Sequence, residues 1–297
     1  IIAGALPVVV ALLVFGGYAL TRRWLKPLDL MVAEANRITA EDLGRRLPVV
    51  NPHDELGQLA EVFNVTLDRL EESFVALDRF VADASHEWRT PLTTLRNVGE
   101  VGLRRSRTVE EYREIIGSML EEAQRLQLLT QRLLELASTE GDAPTVERVP
   151  VRLDEVARRC VGELGILAEN KSQRLLLETP ECTAQTDAVL LRQAIQNLVD
   201  NAIKYSPAGT TIQIKVREAG DHWVIEVTDE GPGIGVEHRS RLTARFFRPD
   251  SGRDRGRGGF GLGLALTKAY MRLLGGAVTY EPAAGGGSTF RLTWPRD

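Results

Sequence analysis

The hydrophobic pattern changes character several times along the chain. Residues Ile1 to Leu20 carry no charged side chain (IIAGALPVVVALLVFGGYAL). At about 1.5 Å of rise per residue, a helix of that length spans about 30 Å, the hydrocarbon thickness of a bilayer. Arg22, Arg23 and Lys26 follow at once, so the positive-inside rule places everything after Leu20 in the cytoplasm. A signal peptide and a buried core helix are the alternatives. No basic segment or initiating Met stands before the apolar run, and Pro7 and three glycines weaken any helix there. The run starts at Ile1, so the chain reads as a fragment whose preceding part is missing.

Beyond the span the period is helical. Leu28, Met31, Val32, Ala35 and Ile38 predict a helix over 22–39, with Pro27 near its start, where proline is tolerated. The connector EDLGRRLPVVNPH is broken by Gly44, Pro48 and Pro52. Asp54 is a natural N-cap for a second helix, whose apolar positions run Leu56, Leu59, Phe63, Leu67, Leu70, Phe74, Leu77, Val81 and Ala84. Two successive four-residue steps in that series form a stutter, which locally unwinds a coiled coil. A register through Thr66 and Ser73 competes, and two packings of similar cost suit a helical relay; ordinary heptad irregularity explains the same pattern. The seam continues through Trp88, Pro91, Leu95 and Val98. After a short loop at 104–108, a helix opens at the Thr108/Glu111 capping box, with a seam at Tyr112, Ile116, Met119, Ala123, Leu126, Thr130, Leu133 and Ala137. Strict four–three spacing on both predicts an antiparallel hairpin, and two such hairpins would complete a four-helix bundle.

Gly141, Asp142 and Pro144 end the helical region, and strands and helices mix from about Val146. Helices are expected at Asp154–Ala168, Ala188–Tyr205 and Gly261–Leu274, a hairpin at Thr211–Val216 and Val224–Val227, and a final strand pair at Ala277–Glu281 and Ser288–Trp294. This is an α+β arrangement, helices over one face of a mixed sheet.

Composition narrows the function classes. With 43% hydrophobic and 26% charged residues, disorder, collagen-like repeats and small disulfide scaffolds are excluded. A formal net charge of −4 gives no nucleic-acid signature. Cys160 and Cys182 lie in different segments without a CxxC or Cys/His cluster, so a zinc site is not expected.

The chemistry concentrates in three places. The segment Phe80-Val-Ala-Asp-Ala-Ser-His-Glu-Trp-Arg-Thr-Pro-Leu-Thr puts His86 at the outermost heptad position, Glu87 beside it, Thr90 one turn on, and Pro91 where a helix hydrogen bond is lost. An imidazole with one unprotonated nitrogen is a good phosphoryl acceptor. The helix Gln193-Ala-Ile-Gln-Asn-Leu-Val-Asp-Asn-Ala-Ile-Lys-Tyr aligns Asn197, Asn201 and Lys204, two amides one turn apart that can share a hard divalent cation and a lysine that can meet phosphate. Asp229-Glu-Gly-Pro-Gly-Ile-Gly follows a strand, its glycines letting backbone approach a ligand and Asp229 offering an acceptor for an adenine amino group. Gly258-Gly-Phe-Gly-Leu-Gly-Leu opens a helix, where free N–H groups bind phosphate. It is neither a GxxxxGK[ST] loop nor a βαβ fingerprint.

These residues carry a resemblance. The span, Pro27 and the Glu55-Leu56-Gly57 signature resemble a HAMP linker, a parallel four-helix bundle in dimers. The His86 segment resembles the H-box of HisKA sensor histidine kinases, with Trp88 where leucine is usual. The remaining motifs resemble the N, G1 and G2 boxes of the GHKL ATPases (Bergerat fold), with Arg245-Phe-Phe-Arg as the F-box and Glu230 where asparagine is common. The resemblance implies a multidomain chain with a transmembrane helix at 1–20, a HAMP linker at 21–76, an all-α dimerisation and phosphotransfer hairpin at 77–140, and an α+β Bergerat sandwich at 145–297. It implies that His86 is phosphorylated, Glu87 is its general base and Thr90 positions water for dephosphorylating the partner. Asn197 and Asn201 would hold Mg²⁺, Lys204 phosphate, and Tyr205 would pack on the base. Asp229, Gly231 and Gly233 would form the adenine pocket, and Gly259, Gly261, Leu262 and Gly263 the phosphate loop. Arg248–Phe260, with Arg253, Arg255 and Arg257, would be the mobile ATP lid, and Ser138–Pro144 the hinge. The implied function is ATP- and Mg²⁺-dependent autophosphorylation by a homodimeric protein-histidine kinase in the bacterial inner membrane. Residues 1–20 would lie in lipid, the rest in the cytoplasm, and the phosphoryl would pass to an aspartate of a separate response regulator, with phosphatase activity toward it. No direct nucleic-acid contact is expected. The competing classes are another GHKL ATPase, which lacks the H-box hairpin, and a signalling scaffold that binds no ATP.

Overall fold

The structure is a computed structural model that describes residues 13–17, 25–39, 42–105, 107–140, 145–249 and 259–296. The apolar run at 1–20 lies outside these except for 13–17, which are helical. Among the described residues no helix is long and apolar enough to cross a membrane.

Two compact units divide the chain, residues 1–84 and 85–297. In the first, helix α1 (residues 25–35) stops short of the expected 22–39, giving way to a turn at 36 and 37. Met31, Leu47 and Ala60 form a small core, joined by Ala35, Ile38 and Leu56. The connector is held to α2 (Glu55–Leu103) by Arg46, which pairs with Asp68 and Glu71, and by Asn64. Asn64 accepts from Leu47 N at 2.7 Å and donates to Leu47 O at 3.0 Å, using both ends of its amide. Asp54 caps α2 as expected, accepting from Gly57 N at 2.8 Å. Gly57 has a steric reason: a Cβ there would stand 1.8 Å from Asn51 O. The chain buries the stripe Gly57, Ala60 and Leu67 of α2, whereas Leu59, Phe63, Leu70 and Phe74 of the expected seam remain exposed.

In the second unit, α2 is uninterrupted across Pro91 and folds back into α3 (Val109–Glu140). The capping box forms: Thr108 N donates to Glu111 Oε2 at 2.8 Å and Glu111 N to Thr108 Oγ1 at 3.2 Å. Gly99 faces Met119 and Gly102 faces Ile115, so the helices are antiparallel and the glycines allow their approach. The α3 seam differs from the expected one. Leu129, Leu133 and Leu136 are the buried leucines, while Tyr112 and Ile116 are exposed. The reason is tertiary: the end of α3 packs on the helix at Gly263–Leu273 of the following domain, which draws the buried stripe round α3. The helix runs on to Glu140; the rest of the expected hinge, 141–144, lies outside the described residues.

The α+β domain is a two-layer sandwich. Its main sheet has the order β2-β4-β5-β7-β6, from β2 (Arg174–Glu178), β4 (Thr211–Ala219), β5 (His222–Asp229), β6 (Ala277–Pro282) and β7 (Ser288–Pro295). Only β2 and β4 run parallel. A second sheet pairs β1 (Val149–Arg152) with β3 (Thr183–Thr186). Helices α4 (Leu153–Glu169), α5 (Ala188–Tyr205) and α7 (Gly263–Leu273) pack on the main sheet, with α5 between the other two, and a single turn, α6 (Val236–Arg239), follows β5. Buried positions alternate along β4 and β7, so each strand gives one face to the helices. Helix α5 has the bounds its periodicity predicts, and Asp187 caps it by accepting from Val189 N and Leu190 N.

One ion cluster fixes the first helix of this domain. Asp154 is fully buried, and accepts from Arg152 at 2.9 and 2.8 Å and from Arg158 at 2.7 Å. The hydrogen bonds from Arg152 come first in holding its carboxyl well below the usual carboxylate range. A depressed acid stabilises the fold above its unfolded pKa, and that contribution disappears as pH falls through the folded value. Asp154→Asn should cost about 1.5–3 kcal/mol at pH 7, the scale of hydrogen bonds to charged groups. The gap in thermal stability between wild type and variant should begin to narrow below about pH 4, the unfolded carboxylate value, and keep narrowing toward the lower folded value; a difference independent of pH would rule the ion cluster out.

Candidate active site

A cleft of about 870 Å³ opens between α5, the two glycine loops and the C-terminal part of α3, within the usual size of a small-ligand site. Asn197, Asn201, Lys204, Tyr205, Asp229, Gly233, Gly259, Gly261, Leu262 and Gly263 all line it. Three segments distant in sequence therefore converge on one cleft, the arrangement the family resemblance implies.

Each wall has a local cause. On α5, the period of 3.6 puts Asn197, Asn201 and Lys204 on the cleft side, while Leu198, Ala202 and Ile203 are buried behind them. Lys204 Nζ also pairs with Asp200, one turn back on the same helix. Asp229 ends β5 with its side chain almost fully buried. Its Oδ1 accepts from Gly231 N at 2.8 Å and Ser288 N at 3.2 Å. Burial dominates and lifts this carboxyl above its ordinary value, while the two N–H donors pull the other way. A buried carboxylate fixed by backbone is a rigid acceptor, suited to an amino group.

The glycines act through close approach. A Cβ on Gly231 would lie 2.8 Å from Asp229 Oδ1 and 3.2 Å from Tyr205 O, so this residue shapes the carboxylate's turn without itself lining the cleft. At Gly261, φ is +70° and a Cβ would meet Phe246 C at 2.7 Å, tying the glycine loop to the Phe246–Phe247 corner, where Phe246 has φ +58°. Cβ atoms on Gly259 and Gly263 would stand 3.8 Å from Lys204 Nζ and from Asn201. The second glycine loop thus lies directly against the polar stripe of α5. No side chain caps the start of α7, which leaves its first N–H groups available to an anion.

The donor set fits a metal–nucleotide. Asn197 is 5% exposed, and its Nδ2 is buried without a hydrogen-bond partner among the described residues. Such a donor is costly unless an acceptor, such as an oxygen of a bound phosphate, meets it. Among the described residues no group of three His, Cys, Asp or Glu side chains could hold a metal. Two amides together with the oxygens of a bound triphosphate would make a hard-cation site.

The phosphoacceptor candidates are elsewhere. His86 and Thr90 are exposed on α2 and Glu87 is half-buried, and no α2 residue lines the cleft. Of the expected lid, Arg248 and Pro249 line the cleft; Arg253, Arg255 and Arg257 lie outside the described residues. Several cleft residues escape motif reading. Leu128 and Arg132 arrive from α3, and Lys171 and Ser172 from the turn after α4. Behind the lining, next to Ser288, Gly287 is the most consequential, with φ +91° and a would-be Cβ 2.0 Å from Asp229 O. Its only signal was the triple glycine at 285–287.

Comparisons with known proteins agree with this geometry. Three family profiles match: the HAMP domain over residues 19–72, the His Kinase A (phospho-acceptor) domain over 76–142, and the histidine kinase-, DNA gyrase B-, and HSP90-like ATPase over 186–297. Sensor protein CutS of Streptomyces coelicolor is 35% identical over 280 residues, 94% of this chain and 67% of that protein. The chain belongs to the sensor histidine kinases. Sensor protein IrlS of Burkholderia pseudomallei is 34% identical over 278 residues, and sensor histidine kinase CusS of Escherichia coli is 33% identical over 271. They match 94% and 91% of this chain, which spans 60% and 56% of their lengths. In fold, it is similar to Acinetobacter baumannii histidine kinase AdeS (TM-score 0.59, 23% identity, 71% of this chain and 98% of that one). It is also similar to histidine kinase ThkA in a complex with response regulator protein TrrA (TM-score 0.64, 20% identity, 76% and 64%).

Gly287 provides a clean test of how the kinase holds its buried acid. Gly287→Ala should weaken ATP binding by tenfold or more, because the new methyl displaces the Asp229 backbone. Gly285→Ala, whose Cβ meets nothing within 4 Å, should bind as wild type. Equal calorimetric affinities for the two variants would contradict the role of Gly287.

Proposed function

We propose that this kinase transfers the γ-phosphoryl group of ATP to His86 and then to an aspartate of a separate response regulator. The observation that carries the reading is the joint presence of the Asn197/Asn201/Asp229 cleft and an exposed histidine on a helical hairpin of the same chain. Asp229 accepts from the adenine amino group, Tyr205 packs on the base, and Gly231 and Gly233 keep the pocket open. Lys204 and the backbone of Gly259, Gly261, Leu262 and Gly263 take the phosphates. Asn197 and Asn201 would hold Mg²⁺, which neutralises phosphate charge when bound. One imidazole nitrogen of His86 attacks the γ-phosphorus, ADP leaves with the bridging oxygen, and Glu87 holds or accepts the proton on the other nitrogen. Since α2 contributes nothing to the cleft, the reaction requires the ATP domain to move to His86.

The reading extends to the assembly. The exposed stripe of Leu59, Phe63, Leu70, Phe74, Leu77 and Val81 on α2 is what a second copy would cover in a homodimer. Residues 1–20 would anchor the chain in the inner membrane, with the linker at 21–76, the phosphotransfer hairpin at 77–140 and the catalytic domain at 145–297 in the cytoplasm. Thr90, one turn from His86, would orient water in dephosphorylating the regulator.

Incubation with γ-³²P-ATP and Mg²⁺ should give acid-labile, alkali-stable label that is absent in His86→Gln while ATP binding persists. Label retained by that variant would refute the acceptor. Thr90→Ala should slow regulator dephosphorylation several-fold more than autophosphorylation, and equal loss of both would remove the hydrolytic role.

A further inference from the structure

Arg132 stands where the proposed chemistry leaves no use for it. It lies on α3, yet its Nη1 donates to Asn197 Oδ1 at 2.8 Å. The contact is supported on both sides. Glu135 lies 3.8 Å from the same nitrogen and accepts from the Tyr270 hydroxyl of α7 at 3.4 Å. About two turns upstream, the Arg125 guanidinium sits 5.5 Å from the centre of the Phe260 ring in the second glycine loop. Between these polar contacts, Leu129, Leu133 and Leu136 are buried. A single face of α3 therefore runs along the cleft, and its arginine occupies the oxygen of a metal-binding amide.

We propose that Arg132 is a competitor for the divalent cation, so that docking of α3 and binding of metal–ATP oppose each other. The inference rests on the reading of Asn197 and Asn201 as metal ligands. Its chemistry is that of like charges: a divalent cation on Asn197 Oδ1 and a guanidinium donating to the same oxygen repel each other strongly in a half-buried site. Either the cation or Arg132 holds the amide. Metal–ATP therefore releases Arg132, weakening the clasp that keeps the ATP domain on α3 and away from His86. By linkage, anything that pulls α3 off the domain raises the affinity for metal–ATP by the same factor. The hairpin then regulates its own catalytic domain through one side chain.

The test is a Mg²⁺ titration of the full chain with a fluorescent trinitrophenyl ATP analogue. Arg132→Gln, which keeps hydrogen bonding and removes the charge, should lower the Mg²⁺ concentration for half-maximal binding by threefold or more. Affinity in EDTA should not change, and Arg132→Lys should stay near wild type. Hydrogen exchange gives a second readout: amides of 129–136 should lose protection when Mg²⁺-ATP is added to wild type, and should already be less protected in Arg132→Gln. An unchanged Mg²⁺ midpoint in Arg132→Gln overturns the competition, and a raised one makes Arg132 a phosphate ligand instead. Asn201→Ala separates the two levels. If it abolishes the Mg²⁺ dependence, the metal reading stands and the Arg132 result judges the inference alone. If wild type binds the analogue equally with and without Mg²⁺, both fall.

Discussion

The buried carboxylate of Asp229 is the interaction on which the rest of the site depends. It is an acid at the end of a central strand, lifted above its ordinary pKa by burial and fixed by N–H groups from Gly231 and Ser288. Burying such a group is unfavourable unless its oxygens are met. The local backbone is built accordingly. Gly231 turns tightly enough to donate to it, Gly287 lets β7 start against its carbonyl, and β5 and β7 pair residue for residue up to Asp229 and Ser288. The proposed adenine pocket is thus an outcome of sheet register as much as of motif composition.

From that fixed point the other walls follow. Helix α5 packs on the sheet between α4 and α7, and its apolar side being buried forces Asn197, Asn201 and Lys204 toward the cleft. The second glycine loop then closes over them, and its tight point is Gly261, where a Cβ would meet Phe246 C at 2.7 Å. His86, the proposed phosphoacceptor, lies on a different element, α2, which contributes nothing to the cleft. An enzyme with its nucleotide and its acceptor on separate bodies is controlled by their approach, and contacts between the hairpin and the ATP domain, such as that of Arg132, acquire regulatory weight.

Much of this was legible in the sequence, for local reasons. Asp54, Thr108 and Asp187 cap their helices through bonds within three residues, and α5 and the β4–β5 hairpin have periodicities that need no tertiary information. The same holds for Asn197 and Asn201, one turn apart on α5, whereas Asp229 meets them only through the fold. What the pattern did not carry was long-range. The short strands β1, β2 and β3 are specified by partners rather than by their own alternation. The α3 seam moved because Leu129 and Leu136 are buried where α3 meets α7, and Asn64, Arg132 and Gly287 matter only through residues 17, 65 and 58 positions away.

The most direct measurement compares binding of ATP with that of inosine triphosphate, which lacks the 6-amino group. If a preformed, buried Asp229 carboxylate reads that amino group, inosine triphosphate should bind at least tenfold more weakly, the cost of leaving a buried charged acceptor unmet being about 1.5–3 kcal/mol. Asp229→Asn should erase most of the difference. Equal affinities for the two nucleotides would contradict the account, because the residue around which the cleft is organised would then have no ligand to recognise.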